Sequence, residues 1–122
     1  MKKVIIADDS ATARMFIKRS LEIAGLADAT FFQAANGVDA LDLMEEHKPD
    51  LLVTDLTMPD MDGKELLRKK AATPTLSETP VVVISSQTNP AVENELKELG
   101  ASAVLSKPFS PGALVEVIES MR

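Results

Sequence analysis

Four short apolar runs, each followed at once by a charged or hydroxyl-bearing residue, constrain the fold of this chain more than any other feature. The residues that follow them are, in chain order, Asp8 and Asp9 after 4–7, Asp55 after 51–54, Ser85 after 81–84 and Lys107 after 103–106. Segments with helical periodicity separate the runs, and this alternation is typical of a parallel sheet covered by helices. Because parallel strands end at a shared edge, we expect these side chains to converge there.

Strand and helix patterns alternate along the whole chain. We place the strands at about residues 3–7, 30–34, 50–54, 81–84 and 103–106. The helices are predicted from apolar residues at helical spacing, which are Ala13, Phe16, Ile17, Leu21 and Ala24, then Ala40, Leu41 and Met44, then Leu66, Leu67 and Ala71, then Val92, Leu96 and Leu99, and finally Leu114, Val117, Ile118 and Met121. Right-handed crossovers favour a doubly wound α/β fold with a five-stranded parallel sheet of order 2-1-3-4-5 and five flanking helices.

Capping residues and turn formers set the limits of these helices. The predicted starts are Asn36 with Gly37, Asn89 with Pro90, and Ser110 with Pro111, and the predicted ends are Gly25, Pro49 and Gly100. A polar cap followed by proline suits the first helical turn, since proline lacks the N–H that would remain unpaired there. Glycine suits a helix end because it adopts the left-handed conformation without a steric penalty.

Composition narrows the classes of function. The length of 122 residues predicts one domain, 1–122. A net charge of −6 and an aromatic content of 3% argue against nucleic acid as the main partner, because such sites need basic and stacking residues. The four apolar residues before Asp8 are too few for a secretory signal, and no segment suits a membrane span. With no cysteine present, we expect a cytoplasmic protein without disulfides.

The three aspartates at the expected sheet edge predict a cation site. Two carboxylates 4 Å apart repel each other by ~4 kcal/mol at an effective dielectric constant of 20, so a cluster of them favours a bound cation. Oxygen ligands without histidine or cysteine indicate a hard ion, and Mg²⁺ suits a few carboxylates with water and phosphate better than Ca²⁺ does. The alternative is that these residues only form turns or cap helices, as Asp9 or Ser10 can do for the first helix.

Asp55 differs from the other two aspartates because it closes a strand in the middle of the sheet. A carboxylate held on a rigid strand can attack a phosphoryl donor and form an aspartyl phosphate. Catalysis of such a transfer is mostly positioning and charge neutralisation, to which the Lys107 ammonium and the Ser85 hydroxyl can contribute. Taken singly, Lys107 is most simply a solvated lysine and Ser85 a turn residue; their combination with the aspartates favours function.

The order of these residues, with residues 58–63 (MPDMDG) behind Asp55, resembles the receiver domain of two-component response regulators, in the stand-alone form found in chemotaxis. The resemblance spans the chain from Val4 to the last helix. It implies a phosphoacceptor that takes a phosphoryl group from a histidine kinase and relays the signal to a partner by a conformational change. It also implies that the only reactions the chain catalyses are its own phosphorylation and dephosphorylation.

The resemblance also assigns roles to individual residues. These are Asp55 as the phosphoacceptor, Asp8, Asp9, Asp55 and the backbone carbonyl of Thr57 as Mg²⁺ ligands, Ser85 as the switch hydroxyl, and Lys107 as the cation that contacts the phosphoryl group. It further implies a cis peptide bond between Lys107 and Pro108. Output is expected through the face formed by helix 4, strand 5 and helix 5 toward a downstream protein, from a monomer or a phosphorylation-induced dimer.

Some positions depart from the family pattern or leave two interpretations open. Receivers commonly carry an aromatic residue or histidine three residues before the lysine, where this chain has Val104, so the usual coupling to the surface is in doubt. Thr57 and Gln87 occupy positions that influence removal of the phosphoryl group in the family. Gln87 either orients a hydrolytic water or is an ordinary polar loop residue. The basic residues Arg14, Lys18 and Arg19 of the first helix either meet the kinase or form a solvated face.

Two other functions use similar chemistry or architecture. A small Mg²⁺-dependent phosphatase of the haloacid dehalogenase type also forms an aspartyl phosphate, but usually has a second aspartate two residues later, where this chain has Thr57. A flavodoxin-like FMN-binding module has the same sheet order, but its first loop should be rich in glycine, serine and threonine rather than open with two aspartates. The sequence therefore favours the receiver.

Overall fold

A single parallel sheet organises the computed structural model, which describes residues 1–121. Its strands are β1 (Lys3–Ala7), β2 (Thr30–Ala34), β3 (Leu51–Thr54), β4 (Val81–Ser85) and β5 (Ala103–Ser106). All neighbouring strands pair in parallel, in the order β2-β1-β3-β4-β5. The predicted fold class and strand order are confirmed, and the strand limits agree to within one residue.

Five α-helices follow the strands within this described part of the chain. They are α1 (Ala11–Leu21), α2 (Gly37–His47), α3 (Gly63–Ala72), α4 (Pro90–Glu98) and α5 (Pro111–Ser120). The residue before each helix caps it: its side-chain oxygen accepts a hydrogen bond from the backbone N–H three residues later. The capping residues are Ser10, Asn36, Asp62, Asn89 and Ser110. The predicted caps are therefore confirmed. No helix within residues 1–121 is long and apolar enough to cross a membrane.

The helix ends follow the predicted breakers. Gly100 has a φ of 105° after α4, as expected for a left-handed glycine. Gly25 likewise takes the left-handed conformation, with a φ of 103°, and interrupts the helical backbone of Glu22–Leu26 that follows α1. Ahead of Pro49, α2 ends at His47, and Lys48 caps it in the left-handed conformation with a φ of 48°.

Successive strand residues point to opposite faces of the sheet, so two apolar clusters form. The cluster on the side of α2, α3 and α4 includes Ile5, Leu52, Val83, Met44, Leu66 and Leu96, and the cluster on the side of α1 and α5 includes Ile6, Val53, Ile84, Ile17, Leu21, Leu114 and Ile118. Strands β3 and β4 are buried along their whole length. Burial on both faces explains their continuous apolar sequence and holds their carboxyl ends rigidly.

Two expectations about buried helix faces are wrong. Phe16, assigned to the buried face of the first helix, is 44% exposed and contacts the Phe109 ring edge-on, with 5.2 Å between ring centroids. Ala71 is exposed, whereas Lys70 and Leu76 are buried. The Lys70 ammonium donates a hydrogen bond to the Ser77 carbonyl at 3.0 Å, so a lysine fills a position where apolar periodicity predicts only aliphatic residues.

Candidate functional site

The strand register brings the predicted site residues to the same level of the sheet edge. Ala7 of β1 is paired with Thr54 of β3. Asp8 and Asp55, which follow these two residues in the chain, therefore lie at the same level of the sheet edge. The Asp55 N–H donates to the Ala7 carbonyl at 2.8 Å and continues this pairing. Ser85 of β4 is likewise paired with Ser106 of β5, immediately before Lys107. The convergence predicted from the four runs is therefore observed.

Asp8, Asp9 and Asp55 form an acidic cluster. One carboxylate oxygen from each residue lies within 4.8 Å of those of the other two. Asp8 is buried at 1% exposure and Asp55 at 9%, whereas Asp9 is exposed. Ser10, not Asp9, caps α1. Oxygen donors alone, with one side of the cluster open to solvent, fit a hard divalent cation that retains some of its waters, as Mg²⁺ does.

Lys107 connects the last strand to this cluster. Its ammonium lies 2.8 Å from Asp8 Oδ2 and 3.3 Å from Asp55 Oδ2. Burial on its own would lower the pKa of Lys107, but the hydrogen bond to Asp8 and the charges of Asp55 and Asp8 outweigh it and raise the pKa. The lysine therefore stays charged between two carboxylates. The peptide bond between Lys107 and Pro108 is cis, as the family resemblance implied.

The Asp55 carboxylate is held from two sides. Oδ1 accepts a hydrogen bond from the Leu56 N–H at 2.7 Å, and Oδ2 accepts one from Lys107. Burial and the charge of Asp8 raise the pKa of Asp55, while Lys107 and the Leu56 N–H oppose this shift. Asp55 is therefore a fixed carboxylate at the floor of the cluster, where a charge-neutralising ligand favours its ionised form.

The hydroxyl of Ser85 lies at the end of the neighbouring strand. Ser85 is 1% exposed, and its Oγ accepts a hydrogen bond from the Gln87 N–H at 3.1 Å. The Ser85 carbonyl accepts from the Lys107 N–H at 2.9 Å, so the hydroxyl-bearing and ammonium-bearing residues are tied together through the backbone. Ser85 therefore also sets the conformation of the loop that follows β4.

The two positions expected to influence phosphoryl removal meet each other. The Thr57 hydroxyl donates to Gln87 Oε1 at 3.4 Å, and both residues are exposed. The contact joins the loop after β3 to the loop after β4 at the rim of the cluster. Farther along that second loop, the Thr88 and Ser106 hydroxyls share a hydrogen bond. The Thr57 carbonyl as a metal ligand stays a prediction.

Val104 lies away from these polar groups. It is half-buried and packs against the apolar cluster on the side of α4, together with Val92 and Leu99. A small aliphatic side chain in this position cannot swing between exposed and buried rotamers as a large ring does. Whether Val104 takes part in signal transfer stays a prediction.

Sequence reasoning missed two residues that support the site. Arg14, interpreted only as part of a basic face, donates from Nη1 to the Asp8 carbonyl at 2.6 Å. Gly63 packs directly behind the backbone that follows β3, where a Cβ would lie 2.6 Å from the Asp55 carbonyl and 2.9 Å from Leu56 Cα. Gly63 is the last residue of the 58–63 segment that carried the family resemblance. The sequence therefore contained the motif, but the close packing that requires a glycine there is visible only in the structure.

An apolar groove of about 540 Å³ lies beside the acidic cluster, between α1 and the segment after β5. Ala13, Phe16, Ile17, Pro108 and Phe109 line it, with Lys107 at its edge. The exposed ring of Phe16 therefore lines the same groove as Lys107, a residue of the site.

Comparisons with known proteins agree with this geometry. The response regulator receiver domain matches residues 4–119. The chain is 32% identical over 120 residues to a chemotaxis protein CheY homolog of Campylobacter jejuni, covering 98% of this chain and 91% of that protein. It is also 32% identical to chemotaxis protein CheY of Thermotoga maritima, covering 98% and 97%. The solved structure of CheY4 of Vibrio cholerae superposes with a TM-score of 0.88 at 29% identity, covering 100% of this chain and 99% of that one.

Proposed function

Because the chain belongs to the response regulator receiver family, we propose that Asp55 accepts a phosphoryl group from the phosphohistidine of a histidine kinase. One observation carries the proposal: the rigidly held Asp55 carboxylate shares a cluster with Asp8 and Asp9 and is hydrogen-bonded by Lys107. The chain acts as a phosphoacceptor in two-component signalling and resembles stand-alone chemotaxis receivers over its full described length.

In the transfer step, a carboxylate oxygen of Asp55 attacks the phosphorus and forms an O–P bond. The N–P bond to the kinase imidazole breaks on the opposite side, and the ring nitrogen keeps the electron pair. Phosphoryl transfers of this kind depend on alignment and on neutralising charge at the phosphoryl oxygens. The Leu56 N–H and the Lys107 ammonium align the carboxylate of Asp55 for such an attack.

We assign the metal site to Asp8, Asp9, Asp55 and the Thr57 carbonyl. These residues would hold Mg²⁺, which would supply positive charge to offset the repulsion among the carboxylates and the incoming phosphoryl oxygens. The donor set supports this assignment, because it consists of oxygens only and its exposed member, Asp9, leaves a path for water.

Signal transfer from the site begins with the hydrogen bonds of Lys107 and Ser85 around Asp55. A phosphoryl group on Asp55 offers new oxygens to the Lys107 ammonium, which is held by Asp8 and Asp55 in this structure. It also offers an acceptor to the Ser85 hydroxyl. If Ser85 turns toward it, Oγ gives up the hydrogen bond from the Gln87 N–H, and the loop after β4 is released to rearrange.

Two surfaces follow from this scheme. The apolar groove beside Lys107, with the basic residues of α1, is the surface we propose for the histidine kinase. The face of α4, β5 and α5 adjoins the loop after β4, and we propose it as the surface for a downstream protein or for a second, phosphorylated copy. A cytoplasmic location and a single domain over 1–122 remain predictions.

We expect no catalytic turnover of phosphomonoesters. The position two residues after Asp55 is Thr57, whose hydroxyl is bonded to Gln87, so it supplies no carboxylic acid for a leaving group. Steady release of inorganic phosphate from p-nitrophenyl phosphate would contradict this expectation.

The chemistry is tested by incubating the protein with acetyl phosphate and Mg²⁺ and measuring its intact mass. Wild-type protein should gain one phosphoryl group, and Asp55→Asn should gain none. Asp60→Asn is a matched control, because Asp60 is exposed in the same loop at a φ of 68° that asparagine also adopts. An unmodified wild type, or an undiminished adduct on Asp55→Asn, would overturn the proposal.

A further inference from the structure

We propose that Arg14 is a positioning residue that fixes the direction of Asp9 toward the metal, an inference that rests on the proposed function of the acidic cluster. Arg14 lies in the first turn of α1 and is half-buried. Its Nη1 donates to the backbone carbonyl of Asp8 at 2.6 Å, and its Nε donates to Gln33 Oε1 on β2 at 3.0 Å. One side chain thus connects three elements at the point where β1 leaves the sheet.

The remaining polar groups of Asp8 are already bound. Its N–H donates to the Ala34 carbonyl at 3.0 Å, and its Oδ1 accepts from the Ser10 N–H at 2.9 Å. Its Oδ2 accepts from Lys107. The Asp8 carbonyl belongs to the peptide plane that joins Asp8 to Asp9, and Arg14 is the residue that holds it. Rotation of that plane is therefore resisted on the carbonyl side by the guanidinium.

Asp9 depends on this plane more than the other two aspartates do. Its side chain is exposed, and within the described residues its carboxylate has no hydrogen-bond partner. By contrast, Asp8 and Asp55 are buried and bonded through both carboxylate oxygens. The backbone thus sets the direction of the Asp9 Cα–Cβ bond, and with it the positions that the carboxylate can reach, and Arg14 holds that backbone.

The contact geometry needs an arginine and not only a positive charge. Nη1 and Nε point at two acceptors on different elements, which the planar guanidinium reaches simultaneously and the single ammonium of lysine does not. Arg14 forms no ion pair with a carboxylate among the salt bridges of residues 1–121. The positive charge of Arg14 repels a nearby cation, so removing this charge would strengthen Mg²⁺ binding while removing the contacts would weaken it. The effect of the contacts is therefore measured with substitutions that keep the charge.

Two such substitutions test the inference. Arg14→Lys keeps the charge and removes the fork, and Gln33→Ala removes the second anchor at an exposed position of β2. Mg²⁺ affinity is measured by NMR titration of the backbone amides, which requires no phosphodonor. We expect Arg14→Lys to weaken Mg²⁺ binding about 10-fold, as for other residues that orient metal ligands, and Gln33→Ala to weaken it less. Arg68→Lys, at an exposed position of α3, is the matched control and should bind as wild type does.

The possible results separate this inference from the proposed function. A wild type that binds Mg²⁺ while Arg14→Lys and Gln33→Ala bind it equally well would overturn the role of Arg14 alone. An equal loss in Arg68→Lys would also overturn it, because the effect would then not depend on the contacts of Arg14. A wild type that binds no Mg²⁺ would overturn the proposed metal site and this inference together. Thermal unfolding of each variant shows that the compared proteins are folded.

Discussion

The ammonium of Lys107 lies 2.8 Å from Asp8 Oδ2, although 99 positions separate the two residues in the chain. The pair joins the ends of the first and last strands, and the same ammonium also lies 3.3 Å from Asp55 Oδ2. Asp8 is almost completely buried, whereas the Lys107 side chain is 26% exposed. The lysine therefore offsets a buried negative charge before any metal or phosphoryl group is bound.

Removing this lysine should destabilise the fold in the absence of metal. Lys107→Met keeps the length of the side chain but leaves the carboxylates of Asp8 and Asp55 without their counter-charge. We expect the free energy of unfolding in urea to fall by about 1–3 kcal/mol in EDTA, with partial recovery in Mg²⁺.

Lys64→Met is the control for this experiment, since it removes an exposed ion pair with Glu95 and should cost less than about 1 kcal/mol. Equal stability of wild type and Lys107→Met in EDTA would show that the carboxylates do not need the lysine.

The raised pKa of Asp55 predicts a pH dependence of stability. Because burial and the charge of Asp8 raise this pKa in the folded state, the unfolded chain loses its proton first as the pH rises. The contribution of Asp55 to stability is thus fully present below its unfolded pKa and is lost as the pH rises through the folded pKa. Metal-free Asp55→Asn should therefore be more stable than wild type at neutral pH and should approach it at acidic pH.

Urea unfolding at a series of pH values in EDTA measures this difference, with Asp60→Asn as the exposed control. A stability difference between wild type and Asp55→Asn that stays constant from acidic to neutral pH would mean that Asp55 is not responsible for the dependence.

Gly63 should resist replacement because it packs against the backbone that follows β3. A Cβ there meets the Asp55 carbonyl at 2.6 Å and Leu56 Cα at 2.9 Å, neither of which is a flexible side-chain end. We expect Gly63→Ala to lower the free energy of unfolding by about 1–3 kcal/mol and to slow phosphorylation by acetyl phosphate.

Gly112→Ala is the matched control, since its Cβ would meet only Ser110 Oγ at 3.8 Å within α5. Alanine is the better helix former, so this variant should be as stable as wild type or more so. If both variants lost the same stability, steric contact behind Asp55 would not be the cause.

Gln87 should shorten the lifetime of the aspartyl phosphate if its amide orients the hydrolytic water. Gln87→Leu keeps the size of the side chain and removes the amide that now accepts from the Thr57 hydroxyl. Loss of one hydrogen bond of about 1 kcal/mol predicts dephosphorylation about 5-fold slower, measured by intact mass after the donor is removed. Ser86→Ala, in the same loop, should decay at the wild-type rate. If the aspartyl phosphate of Gln87→Leu decayed as fast as that of wild type, Gln87 would be an ordinary polar loop residue without a role in hydrolysis.

The sequence predicted the strands and the convergence of the residues that follow them well, because both depend on the same pattern. Strands β3 and β4 are buried on both faces, so their apolar runs are continuous and end sharply at Asp55 and Ser85. Parallel pairing then brings those ends together without further information. The polar caps before α2, α4 and α5 were predictable for a similar reason, since each depends on a local contact of three residues.

Contacts that depend on tertiary packing were not predictable from the sequence. Phe16 lies on the predicted apolar face but reaches Phe109 across the groove instead of the core. Lys70 is buried because its ammonium finds the Ser77 carbonyl, and no periodicity signals such a partner. The role of Arg14 depends on a backbone carbonyl and on Gln33 of another strand, so its position in a basic helix gave no indication of it.

Locating the phosphoryl group tests the central claim most directly. The protein is phosphorylated with acetyl phosphate and Mg²⁺ and reduced with borohydride, which converts an aspartyl phosphate to homoserine, and its peptides are sequenced by mass spectrometry. We predict homoserine at position 55 and at no other aspartate, with none in Asp55→Asn. Homoserine at Asp8, Asp9 or Asp60, or an unmodified Asp55 in protein that has gained a phosphoryl group, would contradict the assignment of Asp55 as the acceptor.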